Sequence, residues 1–508
     1  EAKAQQDSHK NQQAYKKYTH CEIHPIVMQG AVSSIIPFSD HTPNPRNNYQ
    51  CSMGKQAIGY FATNYNKRFD TVANALVYGQ DPIVATHCSK YLCLDKLPHG
   101  VEAMLSIACY TGYNQEDSIV VNRSSIERGF FNTLNYRTYA SIESKHISID
   151  QNETFGKPEV KTQGIASMYD TIESNGEPKI NSRVQKGSVL IGKILHVKKG
   201  KTFVDIDESV KYDQERGIID NAFMPSNYKD FAMVSKCTQE DIRTGTDNTI
   251  IKVRVSNYRL PVLGDKFASR YAQKGTISGL LKESDMPFTV HGEVPDIIMN
   301  PHGMPSRSTL GKPIELFLGT IGLLSGKFMD GTPFDYVDLN NYEDILEALD
   351  FTRANSESVM INGMTGNTFN VKIFYGPMYY QRLKHMVEDK IFARSGEGKI
   401  QALTRQPAEG RSKQGGLRLG EMERDCFIAY NSTRVLKGKF FDESDKFKIY
   451  VDNSNGQVIV ANPAQNKFEF NGKDIRQTSD YSEIQMPYAM KLFIQELNCL
   501  GMNICIDT

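Results

Sequence analysis

Glu116 and Asp117 are adjacent carboxylates that follow a short Gly112-Tyr113-Asn114-Gln115 segment, between the apolar runs Met104 to Tyr110 and Ser118 to Val121. Such a pair could share the coordination of Mg²⁺, a hard cation commonly held by one or two protein carboxylates together with substrate phosphates. Two carboxylates alone are a weak signal, since an acidic pair in a turn more often simply faces solvent. Positive charge is concentrated in two windows. Residues 251–275 carry Lys252, Arg254, Arg259, Lys266, Arg270 and Lys274 against Asp265 alone, six cations against one anion. Residues 379–418 carry Arg382, Lys384, Lys390, Arg394, Lys399, Arg405, Arg411, Lys413 and Arg418 against Glu388, Asp389, Glu397 and Glu409, nine against four. The whole chain balances Lys+Arg 59 against Asp+Glu 59, so any polyanion surface is a local patch. Gly264, Gly275, Gly415 and Gly416 within the two windows, and Gly420 just beyond the second, would let a backbone approach phosphates closely. The bland alternative is a solvated basic face.

Several chemistries lose their usual supports. The sequence contains no GxxxxGK[ST], no GxGxxG and no HExxH, which argues against a P-loop NTPase, a dinucleotide enzyme and a zincin. Nine scattered cysteines with no CxxC pair signal neither a disulfide framework nor a zinc ribbon, and suit a reducing, intracellular setting. Cys88 and Cys93 beside His87 read as idle thiols rather than metal ligands. No run approaches the ~18 apolar residues that span a bilayer, so a soluble protein is expected. Asp205 and Asp207 are assigned to a strand edge.

The elements that must position these groups follow from periodicity. The 508 residues suggest three or four domains at about 150 residues each. Residues 1–20 are polar and lysine-rich, a solvated, disordered end or the start of a fragment. Met104 to Tyr110 and Ser118 to Val121 read as strands, with the acidic pair on the loop between them. In residues 135–260, a separate β module, Ile251, Val253 and Val255 alternate with Lys252 and Arg254, which predicts a half-buried strand with a basic outer face. Residues 261–330 are dense in Gly, Pro and basic residues, as in a loop-rich functional surface. Tyr379, Leu383, Val387 and Ile391 recur at spacing four, which predicts an amphipathic helix from Pro377 to Arg394 showing Arg382, Lys384 and Lys390 on its other face. A β-rich tail, Lys446 to Phe470, should be closed by a helix with Pro487 near its first turn and Gly501 after its end.

Six ordered strings resemble the second-largest, β-type subunit of multisubunit DNA-directed RNA polymerases. They are Pro45-Arg46-Asn47-Asn48-Tyr49-Gln50 with Met53-Gly54-Lys55-Gln56; Gly112-Tyr113-Asn114-Gln115-Glu116-Asp117-Ser118; Gly264-Asp265-Lys266-Phe267-Ala268-Ser269-Arg270 with Gln273-Lys274-Gly275-Thr276; Asn300-Pro301-His302-Gly303-Met304-Pro305-Ser306-Arg307; Leu403-Thr404-Arg405-Gln406-Pro407; and Gly420-Glu421-Met422-Glu423-Arg424-Asp425. The eukaryotic and archaeal branch is the nearer one, and a version encoded by a large nucleocytoplasmic DNA virus of the asfarvirus or poxvirus kind is the narrower expectation. The resemblance covers roughly the C-terminal half of such a subunit.

It implies a mixed α+β, β-rich chain: a double-psi β-barrel hybrid-binding core, an inserted β wall or flap, and a small C-terminal clamp segment. The implied boundaries are a polar end at 1–20, a first hybrid-binding segment at 21–132, the wall at 133–260, a second hybrid-binding segment with a switch loop at 261–425, and anchor and clamp at 426–508. By resemblance Lys266 and Lys274 face the RNA end and incoming nucleotide, while Arg46 and Arg307 hold the triphosphate. Gln56 and Tyr49 fall in the RNA- and NTP-binding strings, and Glu116 and Asp117 stand beside the second, nucleotide-borne Mg²⁺. Arg405, Gln406, Arg411 and Arg418 fall where hybrid and DNA contacts lie. No DxDGD occurs, so the tightly bound catalytic ion is expected on the largest subunit, the implied partner, beside smaller assembly subunits, DNA template, RNA transcript and NTPs. The clamp stretch from Ile449 to Gly472 has no cysteine, so no zinc is expected in this chain. The implied compartment is cytoplasmic for a viral enzyme and nuclear otherwise. The rival reading is a non-catalytic nucleic-acid-binding scaffold derived from such a subunit, which would need basic charge but not this particular residue set.

Overall fold

The computed structural model describes residues 20–146, 151–159, 167–199, 202–212, 232–243, 247–335, 342–345, 357–462, 465, 467–470, 473–474 and 481–507. Six strands close on one another: β1 (Val101–Ile107), β2 (Ser118–Asn122), β3 (Lys266–Ser269), β4 (Lys274–Leu281), β5 (Ile297–Met299) and β6 (Ile373–Arg382). Their order around the barrel is β3-β4-β2-β5-β1-β6, and β6 returns to β3. β4 with β2 and β5 with β1 are parallel, whereas the other pairs are antiparallel. Closure leaves no open edge among the six and accounts for their apolar runs, because the inner face fills the barrel and the outer face is covered. Leu105, Val121, Phe267, Ile277, Ile297, Met378 and Tyr380 meet in one core with Leu316 of helix α2 (Gly311–Ser325). That helix ends on Gly326 at φ +67°, the left-handed conformation a glycine cap supplies without a Cβ penalty.

β6 corrects the helix expected from Pro377 to Arg394. Pro377 to Arg382 lie in an extended strand paired with β1 on one side and β3 on the other, and only Val387–Lys390 is helical. Nearly every residue of β6 is buried, so the strand has no polar alternation to display, and its aromatic spacing mimics a helical stripe. Arg382 is therefore interior rather than part of a basic outer face.

A second, five-stranded sheet runs in the order Val72–Leu76, Thr133–Ile142, Asp247–Arg259, Ala232–Arg243, Arg183–Val184. Ile251, Val253 and Val255 are buried as their alternation predicts. The basic outer face is only partly present: Arg254 is buried, donating from Nη1 to Tyr65 O (2.7 Å) and Arg68 O (3.0 Å), with its guanidinium over the Tyr136 ring. Thr202–Asp207, which bears Asp205 and Asp207, is the edge strand of a separate four-stranded sheet, as expected.

The chain forms two compact units, 1–389 and 390–508. The second contains the helix Glu421–Ala429, a sheet in which Lys446–Asp452 pairs with Tyr481–Pro487, and the helix Tyr488–Cys499, capped by Pro487 and followed by Gly501 at φ +88°. Among the described residues no helix is long and apolar enough to cross a membrane.

Candidate active site

The loop from β1 to β2 is stapled before it reaches the carboxylates. Asn114 is buried; its Nδ2 donates to Ala108 O (2.6 Å) and its Oδ1 accepts from Tyr110 N (3.4 Å). Ser278 of β4 donates to Tyr113 O and Ile119 O. Glu116 and Asp117 then adopt φ +44° and +51°, two consecutive non-glycine residues in the left-handed region. This conformation costs about 1 kcal/mol per residue and persists only where the surroundings impose it. Both side chains are exposed.

β3 and β4 form a hairpin in which Lys266 lies opposite Thr276 and Ala268 opposite Lys274. Lys266 and Lys274 thereby share one face of the ribbon as diagonal neighbours. The hairpin is joined to the acidic loop, since Thr276 N donates to Asp117 O (3.0 Å). A Cβ on Gly275 would stand 2.8 Å from Ile119 Cγ2, so the close approach of the two strands requires a glycine here, and Gly275 also lines the cavity described below.

β5 runs directly into Asn300, which caps a turn by accepting from His302 N (2.9 Å), and Arg307 follows. The Arg307 guanidinium reaches back and donates from Nη2 to Asp117 Oδ1. Glu116 and Asp117 of the β1–β2 loop, Lys274 at the start of β4 and Arg307 of the segment after β5 thus line one open cavity of about 420 Å³.

The other expected residues lie elsewhere. Helix α1 (Asn44–Gly54) carries Arg46 and Tyr49, with the Arg46 guanidinium 5.8 Å from the ring centroid of Tyr49. Gln50, one turn beyond Arg46, accepts from Ala272 N at the hairpin tip (3.2 Å) and donates to Gln381 Oε1 (3.2 Å). Gln56 Oε1 lies 2.9 Å from His385 Nε2, and Lys266 O accepts from Leu383 N (2.9 Å). Neither Lys266, Arg46, Tyr49 nor Gln56 lines the cavity. Arg405, Gln406, Arg411 and Arg418 belong to the second unit. There Arg405 lies over the rings of Tyr488 (4.4 Å) and Phe447 (5.2 Å), Arg411 opens a short 3₁₀ turn, and Gln406 and Arg418 are exposed.

Two residues to which sequence reasoning assigns no role, Lys312 and Gln273, also line the cavity. Lys312, at the start of α2, has no exposed surface; burial pulls its amine down to about 7 against the opposing pull of Glu315, with Arg307 adding to the depression. Gln273, the residue before Lys274, is also buried. The available signal is a lysine and a glutamate three residues apart in the otherwise uncharged Gly311–Ser325.

The family model described as RNA polymerase Rpb2, domain 6 matches residues 32–413, and that for RNA polymerase Rpb2, domain 7 matches 415–508. The chain belongs to the Rpb2 family. It is 42% identical over 501 residues to DNA-directed RNA polymerase II subunit 2 of Arabidopsis thaliana, covering 97% of this chain and 40% of that protein. Identity to DNA-directed RNA polymerase II subunit RPB2 of Encephalitozoon cuniculi is 44% over 499 residues (96% and 41%), and to DNA-directed RNA polymerase subunit Rpo2 of Saccharolobus solfataricus 38% over 492 residues (94% and 42%). This Rpb2-family chain therefore spans about two fifths of the length of these relatives. Its acidic loop suits a metal only in part. Among the described residues no group of three or more His, Cys, Asp or Glu could hold an ion. Two exposed carboxylates, one engaged by Arg307, fit an ion that arrives with most of its ligands, such as phosphate-bound Mg²⁺.

Proposed function

We propose that this Rpb2-family chain forms one side of the nucleotidyl-transfer centre of a DNA-directed RNA polymerase, acting with a largest subunit that carries the metal-binding carboxylates. The observation that carries the reading is the convergence of Glu116, Asp117, Lys274 and Arg307 on one cavity. An ammonium at Lys274 provides a compact charge for the phosphate at the reacting end. The planar Arg307 fork can bind two oxygens of a triphosphate and stabilise charge on departing pyrophosphate. Glu116 and Asp117 would help hold the nucleotide-borne Mg²⁺, which neutralises phosphate charge during the transfer. Lys266 supports the same ribbon face, while Arg46, Tyr49 and Gln56 would meet nucleotide or transcript beside the hairpin tip.

The same proposal takes 21–132 and 261–425 as hybrid-binding, 133–260 as wall and 426–508 as anchor and clamp, with Arg405, Gln406, Arg411 and Arg418 toward hybrid or DNA. Smaller assembly subunits, template and transcript complete the partners. The virus-encoded version, and with it a cytoplasmic rather than nuclear site of action, rests on the sequence resemblance alone. The absence of zinc from residues 440–508 rests on the lack of cysteine between Cys426 and Cys499. The test is Lys274→Ala in the assembled enzyme: nucleotide addition should slow far more than duplex DNA binding weakens. Equal losses would favour the non-catalytic scaffold.

A further inference from the structure

Gln273 occupies the tip of the β3–β4 hairpin immediately before Lys274, and its carboxamide makes contacts on a different element. Nε2 donates to Thr309 Oγ1 (2.7 Å) and to Gly303 O (3.1 Å), and Oε1 accepts from Lys312 Nζ (2.6 Å). Gly303 O fixes the amide orientation, because a carbonyl oxygen can only accept and so must face Nε2, which leaves Oε1 toward Lys312 Nζ. Gly303 and Thr309 bracket Arg307, and Lys312 begins the helix that follows. One buried amide therefore ties the strand that presents Lys274 to the turn that presents Arg307.

The lysine is an unexpected choice for that place. Its side chain is fully enclosed, with Tyr380 Oη of β6 3.3 Å from Nζ and Met299 of β5 against it. Glu315 and Arg307 are the charged groups that act on it most strongly. A methionine would fill similar volume without the desolvation that a buried amine carries. What methionine lacks is a donor for Gln273 Oε1, and a buried acceptor left unpaired is costly.

We propose that Lys312 is a positioning residue for nucleotidyl transfer: by donating to Gln273 it holds the Lys274 hairpin against the Arg307 turn, so that the two cations meet the substrate at a set separation. The role depends on the function proposed for the cavity.

Lys312→Met and Lys274→Ala, alone and combined, should be introduced into the full-length subunit of the assembled polymerase and single-nucleotide addition measured. Lys312→Met should lower kcat by about tenfold or more, the scale of leaving one buried polar group unpaired. In the Lys274→Ala background the same change should alter kcat by less than about twofold, since a positioning residue has nothing left to position. Lys312→Gln, which restores a donor without the charge, should stay within about threefold of wild type. A Lys312→Met enzyme as fast as wild type would overturn the inference, as would one that loses the same factor in both backgrounds. Should the methionine variant fail to assemble, the glutamine variant decides: near wild-type kcat supports the donor role, and a loss as large as that of Lys274→Ala overturns it. A distinct result, Lys274→Ala adding nucleotides at the wild-type rate, would instead remove the function assigned to the cavity, and this role with it.

Discussion

Arg382 Nη2 lies 2.6 Å from Asp265 Oδ2, and each side chain is 1% exposed. Asp265 Oδ1 also accepts from Val387 N (3.1 Å), while Arg382 Nη1 donates to Phe131 O (2.8 Å) and Arg259 O (3.2 Å). The pair therefore fastens the β3–β6 closure of the barrel to the end of the five-stranded sheet. Asp265 precedes Lys266 in one of the strings that resemble the polymerase subunit, yet its work is structural: it fixes where the lysine ribbon begins. Asp265→Asn should leave Arg382 buried without its counter-charge and cost about 3–5 kcal/mol. Denaturant unfolding of the purified chain measures this, and a loss under about 1 kcal/mol would show that water reaches the pair.

The same pair shows why the charge windows mislead. Of six cations in 251–275, Arg254, Arg259 and Arg270 are buried. Arg259 forms a bidentate pair with Asp389 (2.7 and 3.0 Å), and Arg270 meets Glu315 at 2.6 Å. Summing charge along the chain cannot see partners 45 or 130 residues away. What local pattern does encode is legible: the acidic pair between two strands, the Ile251-Val253-Val255 alternation, and Pro487 and Gly501 at the ends of the last helix. β6 is not, because a strand paired on both sides and buried along nearly its whole length has no amphipathic period. Lys312 is hidden for a related reason, as its partners come from the β3–β4 hairpin, β5 and β6.

Burial pushes the Glu102 carboxyl of β1 up to about 7, with the Glu315 charge adding to the rise and the Ile83 N–H (2.8 Å to Oε1) opposing it. A carboxyl raised in the fold contributes stability that is full below its unfolded value near 4.5 and lost as pH rises through about 7. Glu102→Gln keeps an acceptor for Ile83 but cannot ionise. Its Tm should exceed that of wild type at about pH 8, with the difference shrinking steadily toward about pH 5. A pH-independent difference would show that Glu102 does not titrate in this way.

Arg307→Lys preserves charge and removes the planar fork. In the assembled enzyme it should raise the apparent KM for nucleoside triphosphates or lower kcat, with little change in stability because Asp117, its partner, is nearly half exposed. Unchanged steady-state kinetics would take Arg307 out of the substrate site and leave it as a brace for the acidic loop.

Asp117 tests the metal assignment, and its backbone makes the test clean. At φ +51° asparagine is among the best tolerated replacements, so Asp117→Asn keeps loop geometry and size while removing the charge. If the carboxylate helps hold nucleotide-borne Mg²⁺, both Asp117→Asn and Asp117→Ala should raise the Mg²⁺ concentration for half-maximal nucleotide addition, because a hard divalent ion favours anionic oxygen. Subunit assembly should be unaffected, since the residue sits on the cavity rim. If Asp117 is only a turn residue that anchors Arg307, asparagine should be nearly silent against Mg²⁺ and only alanine should disturb the loop. Titrating rate against Mg²⁺ for both variants separates these outcomes, and wild-type metal dependence in the asparagine enzyme would remove Asp117 from direct coordination.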